Sequence, residues 1–304
     1  MAPQSVPISF AIGSRRVLSV PRRLATLAFS LEDILSGTLP FLPAPQGGPD
    51  GIRILSAPSA QVEALAARFP GHVLGGRQDY HRHFIAMTGS YEEYLARFSG
   101  KTRATLRRKQ RKLADRAGRG YKVTAHRTPA EVEAFLQKAL PLSSRTYQAR
   151  LLDAGLPTHE RDRRAMLEAA EADRMRCFLL HAEGEAIAYL SLPVEGATLV
   201  YAHLGYDPDW ARLSPGTVLQ MEALEQLYAE GCFRYFDFTE GDGAHKSLFG
   251  TDNVECASFL LLRGDVGNRL LLGSLAAFDG GVAAAKAIAA KTGALAHARK
   301  LLRA

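Results

Sequence analysis

The stretch MRCFLLHAEGEAIAYLSLPVEGATLVYAHLGYDPDWARLSPGTVLQMEALEQLYAEGCFRYFDF, residues 175–238, decides the fold. Two apolar runs, Met175–His181 and Ala186–Pro193, flank Glu183-Gly184, and Ala197–Leu204 follows a second turn at Glu195-Gly196. Tight glycine turns between short apolar runs are hairpin signals, so three antiparallel strands are expected. Gly205–Pro215 reads as a loop, Gly216–Glu230 as a helix closed by Gly231, and Arg234–Phe238 as a strand. A meander, then loop, helix and strand, gives an α/β (α+β) class with a mixed, mainly antiparallel sheet flanked by helices. A doubly wound nucleotide fold would alternate strand and helix throughout.

Upstream, Tyr91, Tyr94, Leu95, Phe98, Thr102, Leu106, Leu113 and Ala117 form one apolar stripe of a helical stretch from Ser90. Gly100 is a candidate break, and Gly118 and Gly120 end the stretch. Tyr121–His126 reads as a strand. Thr128 and Glu131 then form a capping-box pattern, opening a helix expected to close near Pro141. Nearer the start, Ile8–Ile12 and Val17–Val20 flank the turn Gly13-Ser14. Pro40–Gly51 is a linker, Ile52–Leu55 and His83–Met87 are strands, and Ser59 caps a helix over Ala60–Phe69. Downstream, Ser258–Leu262 is a strand and the tail is helical, with breaks at Gly280-Gly281 and Gly293.

The chain has 304 residues, 47% hydrophobic and 23% charged, which excludes collagen-like, disordered and disulfide-rich classes. That length can bury a core without a metal or disulfide. Cys177, Cys232 and Cys256 form no CxxC pair, as expected of a reducing, cytoplasmic setting. No secretory signal is visible. The longest apolar run near the C-terminus, Leu270–Phe278, is nine residues, about half a membrane span, so a soluble protein is expected. The net charge of +7 is uneven. Residues 101–128 hold eleven basic groups and one acid, and residues 261–304 seven against two. The second patch suits a membrane surface or a protein partner.

Three segments carry candidate chemistry. In Asp207–Thr217, Ser214, Pro215, Gly216 and Thr217 open a helix, with Arg212 beside them. Unpaired N–H groups and the helix dipole would favour a phosphate there, although an ordinary helix start with Ser214 as cap reads the same. In Arg234–Lys246, Tyr235 and Asp237 share one face of a strand, and Glu240 and Lys246 follow. These groups could move a proton and orient a substrate, or Lys246 could simply pair with Asp242. The third segment, Lys101–Lys112, has seven positive charges and no acid. Arg103, Arg107 and Arg108 are its candidate anion ligands, against the plainer reading of a solvated face. No metal site is indicated, since His81 and His83 are the only closely spaced histidines, and no Walker A, GxGxxG or GxSxG motif occurs.

Together, Lys-Thr-Arg-x-x-Leu-Arg-Arg (101–108), Gly-Tyr-Asp-Pro-x-x-Ala-Arg-x-Ser-Pro-Gly (205–216) and Phe-Asp-Phe-x-x-Gly…Lys (236–246) resemble the CelD-type, BioF2-like branch of the GNAT N-acyltransferase superfamily. That branch is related in fold to the Fem-type aminoacyl ligases. The resemblance covers roughly residues 90–262. It implies a GNAT fold with residues 1–98 as a degenerate N-terminal lobe, 99–264 as the acyltransferase domain and 265–304 as a helical tail. It also implies acetyl-CoA or another acyl-CoA as co-substrate, held at Arg212 and Ser214–Thr217, and no metal. Only one glycine stands where typical GNAT loops have two. The implied reaction is acyl transfer to an amine, with an amino sugar of an envelope or extracellular polysaccharide as acceptor. Asp237 or Glu240 would act as base, Lys246 would orient the acceptor, and Tyr201 or Tyr235 would protonate the thiolate. The alternatives are a Fem-type ligase using aminoacyl-tRNA, and a non-catalytic module binding an anionic polymer through 101–112.

Overall fold

The computed structural model describes residues 4–13, 15–39, 50–118, 120–145, 155–241 and 243–291. In chain order the first elements are β1 (Gln4–Ile12), β2 (Arg15–Ala28), α1 (Leu31–Ser36), β3 (Gly51–Pro58), α2 (Val62–Ala67) and β4 (His72–Ala86). There follow α3 (Tyr91–Ala96), α4 (Gly100–Arg116), β5 (Lys122–His126), α5 (Pro129–Arg145) and α6 (Glu160–Glu171). The last are β6 (Met175–Ala182), β7 (Glu185–Glu195), β8 (Thr198–Val200), β9 (His203–Tyr206), α7 (Pro215–Glu230), β10 (Tyr235–Asp237), α8 (Ala244–Phe249), β11 (Asp252–Arg263) and α9 (Val266–Lys291). The class is the expected one: a mainly antiparallel sheet flanked by helices.

Contacts gather the chain into two compact units. One holds the described residues up to His81 and those from Val254 onward; the other is Arg82–Asn253. The sequence-based divisions at 98/99 and 264/265 follow chain order, whereas β11 returns to pair antiparallel with β3. In this first unit β1 and β2 form a hairpin, and β2 runs parallel to β3. Leu271, Leu272 and Leu275 of α9 pack on Ile8, Phe10, Leu24 and Leu262. Gly280 and Gly281 do not break this helix. Each interior glycine costs only about 1 kcal/mol, and a 26-residue helix anchored on the sheet tolerates that. The expected break at Gly293 and nearly all of the Pro40–Gly51 linker lie outside the described residues.

In the second unit the strands run β4, β10, β8, β7, β6, β5, with β9 also on β7. Among its described residues only β8 and β10 pair in parallel. Strand β6 is buried on both faces, which explains the apolar run Cys177–Leu180 at its centre. Phe178 and Leu180 meet α4 and α7 residues such as Leu106, Leu113, Leu224 and Leu227. Cys177 and Leu179 meet Phe135, Leu136 and Met166 of α5 and α6. Burial of Leu106 and Leu113 offsets the repulsion among the charges of α4, and Ser99 caps that helix at Thr102 N–H, 3.2 Å. The helical stretch is broken one step earlier than expected: α3 ends at Ala96, Ser99 caps α4, and Gly100 is the first residue of α4.

Helix α5 passes through Pro141 to Arg145, contrary to the expected stop. Leu142 and Ser143 are both buried, and Ser143 Oγ receives the Tyr189 hydroxyl at 2.9 Å and Leu156 N–H at 2.8 Å, so the last turn is held inward. The expected loop 205–215 is largely ordered into β9 and a 3-10 turn, Pro208–Leu213, started by Asp207 accepting Asp209 N–H at 3.0 Å. The expected strand 197–204 is two strands, β8 and β9.

Candidate functional site

The division of 197–204 creates the site. Strands β8 and β10 pair as Thr198↔Tyr235, Leu199↔Phe236 and Val200↔Asp237. Tyr201 N–H then donates to Asp237 O at 2.8 Å, where β10 ends. Beyond that point β9 stays on β7, with His203↔Ser191, Gly205↔Tyr189 and Asp207 N–H donating to Ile187 O at 2.8 Å. Antiparallel alternation therefore turns the N–H groups of Leu204 and Tyr206 away from β7, toward the opening between the parted strands. Gly205 lies under the Tyr189 ring, since a Cβ there would sit 2.4 Å from Tyr189 Cε1.

Helix α7 starts against β9. A Cβ on Gly216 would lie 2.8 Å from Leu204 Cδ2 and 3.2 Å from Tyr206 Cδ1, so glycine permits the approach. Ser214 sits at φ 55° in left-handed backbone and makes no side-chain cap, which corrects the ordinary-cap reading. Its carbonyl accepts Thr217 N–H at 3.0 Å and Val218 N–H at 3.2 Å. Pro215 has no N–H. The first turn therefore offers an anion chiefly the Gly216 N–H and the Thr217 hydroxyl. Lys109 of α4 brings its Nζ to 3.4 Å from Thr217 Oγ1. Burial lowers the pKa of this lysine, and among the described residues no carboxylate pairs with it. Arg212 is exposed on the 3-10 turn.

Tyr201 lies on the side of β10 occupied by Phe236 and Phe238, with ring centroids 5.8 and 5.5 Å away. Burial pushes its phenol pKa up. His245 of α8 joins that group, 4.8 Å from the Phe249 ring and 6.4 Å from Tyr201. Its Nε2 is 2.5 Å from Oε1 of the fully buried Gln220. Burial first, then the Lys109 and Lys246 ammonium groups, push the imidazole pKa down to about 4. Lys246 donates to the Glu240 carbonyl oxygen. Asp242, the alternative partner, lies outside the described residues.

Asp237 points to the opposite face. Arg82 of β4 grips it, Nη2 to Oδ2 at 2.5 Å and Nε to Oδ1 at 3.1 Å, with side chains only 7% and 0% exposed. Asp237 Oδ1 also accepts Thr239 N–H at 2.8 Å, fixing Thr239 at φ 61°. Tyr235 shares this face and packs edge-on to Phe84. The sequence-selected residues thus divide. Tyr201, Thr217 and Gly216 border the opening, and Asp237 and Tyr235 lie across β10 from it.

The arginines of α4 scatter. Arg103 donates to the carbonyls of Ala96 and Phe98, both 3.0 Å. Arg107 lines a cavity of about 190 Å³ with Arg103, Gln110, Glu92 and Glu225. Arg108 is on the exposed face with Lys101, Arg111 and Lys112. Sequence reasoning missed Lys109, Gln220, His245 and Arg82. Lys109 and His245 stood inside the quoted motifs without being singled out. Arg82, between two histidines of a strand, was marked only by a charge where alternation puts an inward side chain. No cluster of histidine, cysteine and carboxylates able to hold a metal occurs among the described residues, and no helix among them is long and apolar enough to cross a membrane.

Residues 100–247 match the family model of an acetyltransferase (GNAT) domain. No curated protein matches the chain. Among solved structures, FemX is 13% identical over 88% of this chain and 90% of its own, with a TM-score of 0.53. The C-terminal domain of a putative lysylphosphatidylglycerol synthetase from Agrobacterium fabrum is 14% identical over 75% and 72%, with a TM-score of 0.50. The fold is that of the GNAT-type acyltransferases.

Proposed function

On the premise of a GNAT-type acyltransferase fold, we propose that the protein moves an acyl group from acyl-CoA to an amine, in the manner of the CelD-type branch. The parting of β8–β9 from β10, ending on the α7 N-terminus, carries this reading, because it supplies a slot for a thioester and an anion seat at one end. The donor's phosphates would meet Gly216 N–H, Thr217 Oγ1, Lys109 and Arg212. The acceptor nitrogen attacks the thioester carbon, and the oxyanion gathers against Leu204 or Tyr206 N–H. Tyr201, kept protonated by burial, is suited to give the departing thiolate its proton. Asp237 is engaged by Arg82 and Thr239 and positions the end of β10; the amine proton passes to Glu240 through water, and Lys246 orients the acceptor. An amino sugar of an envelope or extracellular polysaccharide, modified in the cytoplasm, is the acceptor class, on family analogy alone. Residues 1–98 would be the degenerate lobe of a tandem pair.

Calorimetric titration with acetyl-CoA and free CoA tests the donor. Binding that Lys109→Ala and Thr217→Ala weaken supports it; no heat and no thermal shift refute it. The exposed basic face of α4 favours a second reading, an aminoacyl-tRNA donor. That reading requires charged-tRNA binding that falls steeply with salt.

A further inference from the structure

We infer that the tip of the β1–β2 hairpin docks the protein on an anionic lipid surface. Ile12, Val17 and Leu18 are 54%, 58% and 55% exposed, so three large apolar side chains face water within seven residues. Scattered apolar residues are ordinary on a protein surface, but several beside one hairpin turn are not. The register explains the cluster. Phe10 pairs with Leu18 while Ala11 pairs with Arg16, so Val17 is a bulged residue without a partner. Bulges re-aim side chains and sharpen the local twist. Arg15 and Arg16, both exposed, stand between Ile12 and Val17, at the turn itself.

Helix α9 supports the same end of this unit. Arg22 Nε donates to Asn268 Oδ1 at 2.9 Å near the helix start, and the Phe10 and Phe278 rings meet at 5.5 Å farther along, so α9 runs toward the hairpin tip. At roughly 1.5 Å per residue, Ile288 stands about 15 Å beyond Phe278. The tip at Gly13 stands about 10 Å beyond Phe10 at strand rise. Ile288 is 63% exposed, which puts another apolar side chain near the level of the tip. From Lys286 to Ala304 the sequence carries five basic residues and no acid. Exposed aliphatic groups interleaved with two arginines, in a unit whose C-terminal sequence is basic, complement the negative headgroups and apolar interior of an anionic bilayer leaflet. The same positive charge opposes self-association through the tip.

Co-sedimentation of the full chain with phosphatidylcholine vesicles, with and without phosphatidylglycerol, tests this. Binding is expected only with phosphatidylglycerol, and Arg15→Glu/Arg16→Glu should weaken it by at least roughly tenfold. Val17→Ser/Leu18→Ser should weaken it comparably while leaving the circular dichroism spectrum unchanged. Should that variant fail to fold, Val17→Cys carrying an environment-sensitive dye must shift to the blue on adding anionic vesicles. No binding, binding indifferent to both variants, or an unshifted dye overturns the proposal. So does light scattering that shows a dimer dissociated by Val17→Ser/Leu18→Ser, since the tip would then serve a second copy of the chain.

Discussion

Replacing Arg82 with alanine separates a positioning role for Asp237 from a chemical one. The pair is almost sealed from solvent, at 7% and 0% side-chain exposure, and is held by a 2.5 Å contact and two longer ones. Removing one member of such a pair leaves the other buried and uncompensated, which costs about 3–5 kcal/mol. For a chain of this size that corresponds to a fall in Tm of roughly 5–8 °C. Asp237→Asn keeps an acceptor for Thr239 N–H but strands the guanidinium. The double variant Arg82→Ala/Asp237→Asn removes both charges and should be less destabilised than the two single changes together by about 2 kcal/mol. Calorimetry and urea titration of all four proteins read these values. Acyl transfer measured below the melting range reads function separately. If Arg82→Ala unfolds less than about 1 kcal/mol more easily, the pair is not the clamp described. If Asp237→Asn abolishes turnover while Arg82→Ala leaves it intact, Asp237 acts chemically and the positioning argument fails.

Other consequences are equally direct. The His245 pKa is depressed to about 4 in the folded protein, below its usual 6.5, so the unfolded chain takes up the proton first and stability falls as pH drops from 6.5 toward 4. The loss approaches roughly 3 kcal/mol, and His245→Phe should flatten that part of the Tm–pH curve. Gly205→Ala drives a methyl into the buried Tyr189 ring and should cost about 2–3 kcal/mol in urea titration, more than Gly216→Ala, whose neighbour is the movable end of Leu204. In a thiol-reagent titration Cys232, exposed, reacts fast, while Cys177, its pKa pushed up to about 12 by burial, waits for denaturant along with Cys256. Lys109→Met keeps the apolar stem and removes a charge from the positive end of α7, so it should raise Tm slightly while weakening CoA binding; a lower Tm or unchanged binding refutes the anion seat.

The fold was legible where local chemistry and tertiary packing agree. Glu183-Gly184 and Glu195-Gly196 are turns whatever surrounds them, and β6 and β7 follow from them. Gly231 closes α7 at φ 66°, as its position implies. The misreadings fall where packing overrides the local signal. Pro141 would end an isolated helix, but buried Ser143 and Leu142 keep α5 turning. Ala197–Leu204 reads as one strand because nothing local marks the point at which β10 stops while β7 runs on. For the site, Ser214–Thr217 and Asp237–Lys246 stand out as turn and charge signals. The partners that decide their roles come from α4, α8 and β4, and nothing in sequence spacing says that Arg82 meets Asp237 across 155 positions.

A like separation marks the proposed donor seat, where Lys109 meets Thr217 across 108 positions. A helix that begins with several open N–H groups can bind a phosphate through backbone alone. Helix α7 begins with proline and commits the Thr217 N–H to Ser214 O, so side chains must supply what the backbone lacks. Lys109 is the group so placed, and its position is unfavourable while the site is empty. Burial weakens its hold on the proton, and the positive end of the helix dipole opposes its charge. A phosphate relieves both at once. Anion recognition built this way falls more steeply with salt than recognition by fixed dipoles, because a mobile ammonium competes with bulk ions for its partner. It also gives the basic helix two separable tasks. Under the proposed function Lys109 would make the contact, and the exposed charges from Lys101 to Lys112 would raise the encounter rate. Neutralising Arg108 or Lys112 should therefore slow association and reduce its salt dependence, whereas changing Lys109 should act on the lifetime of the complex.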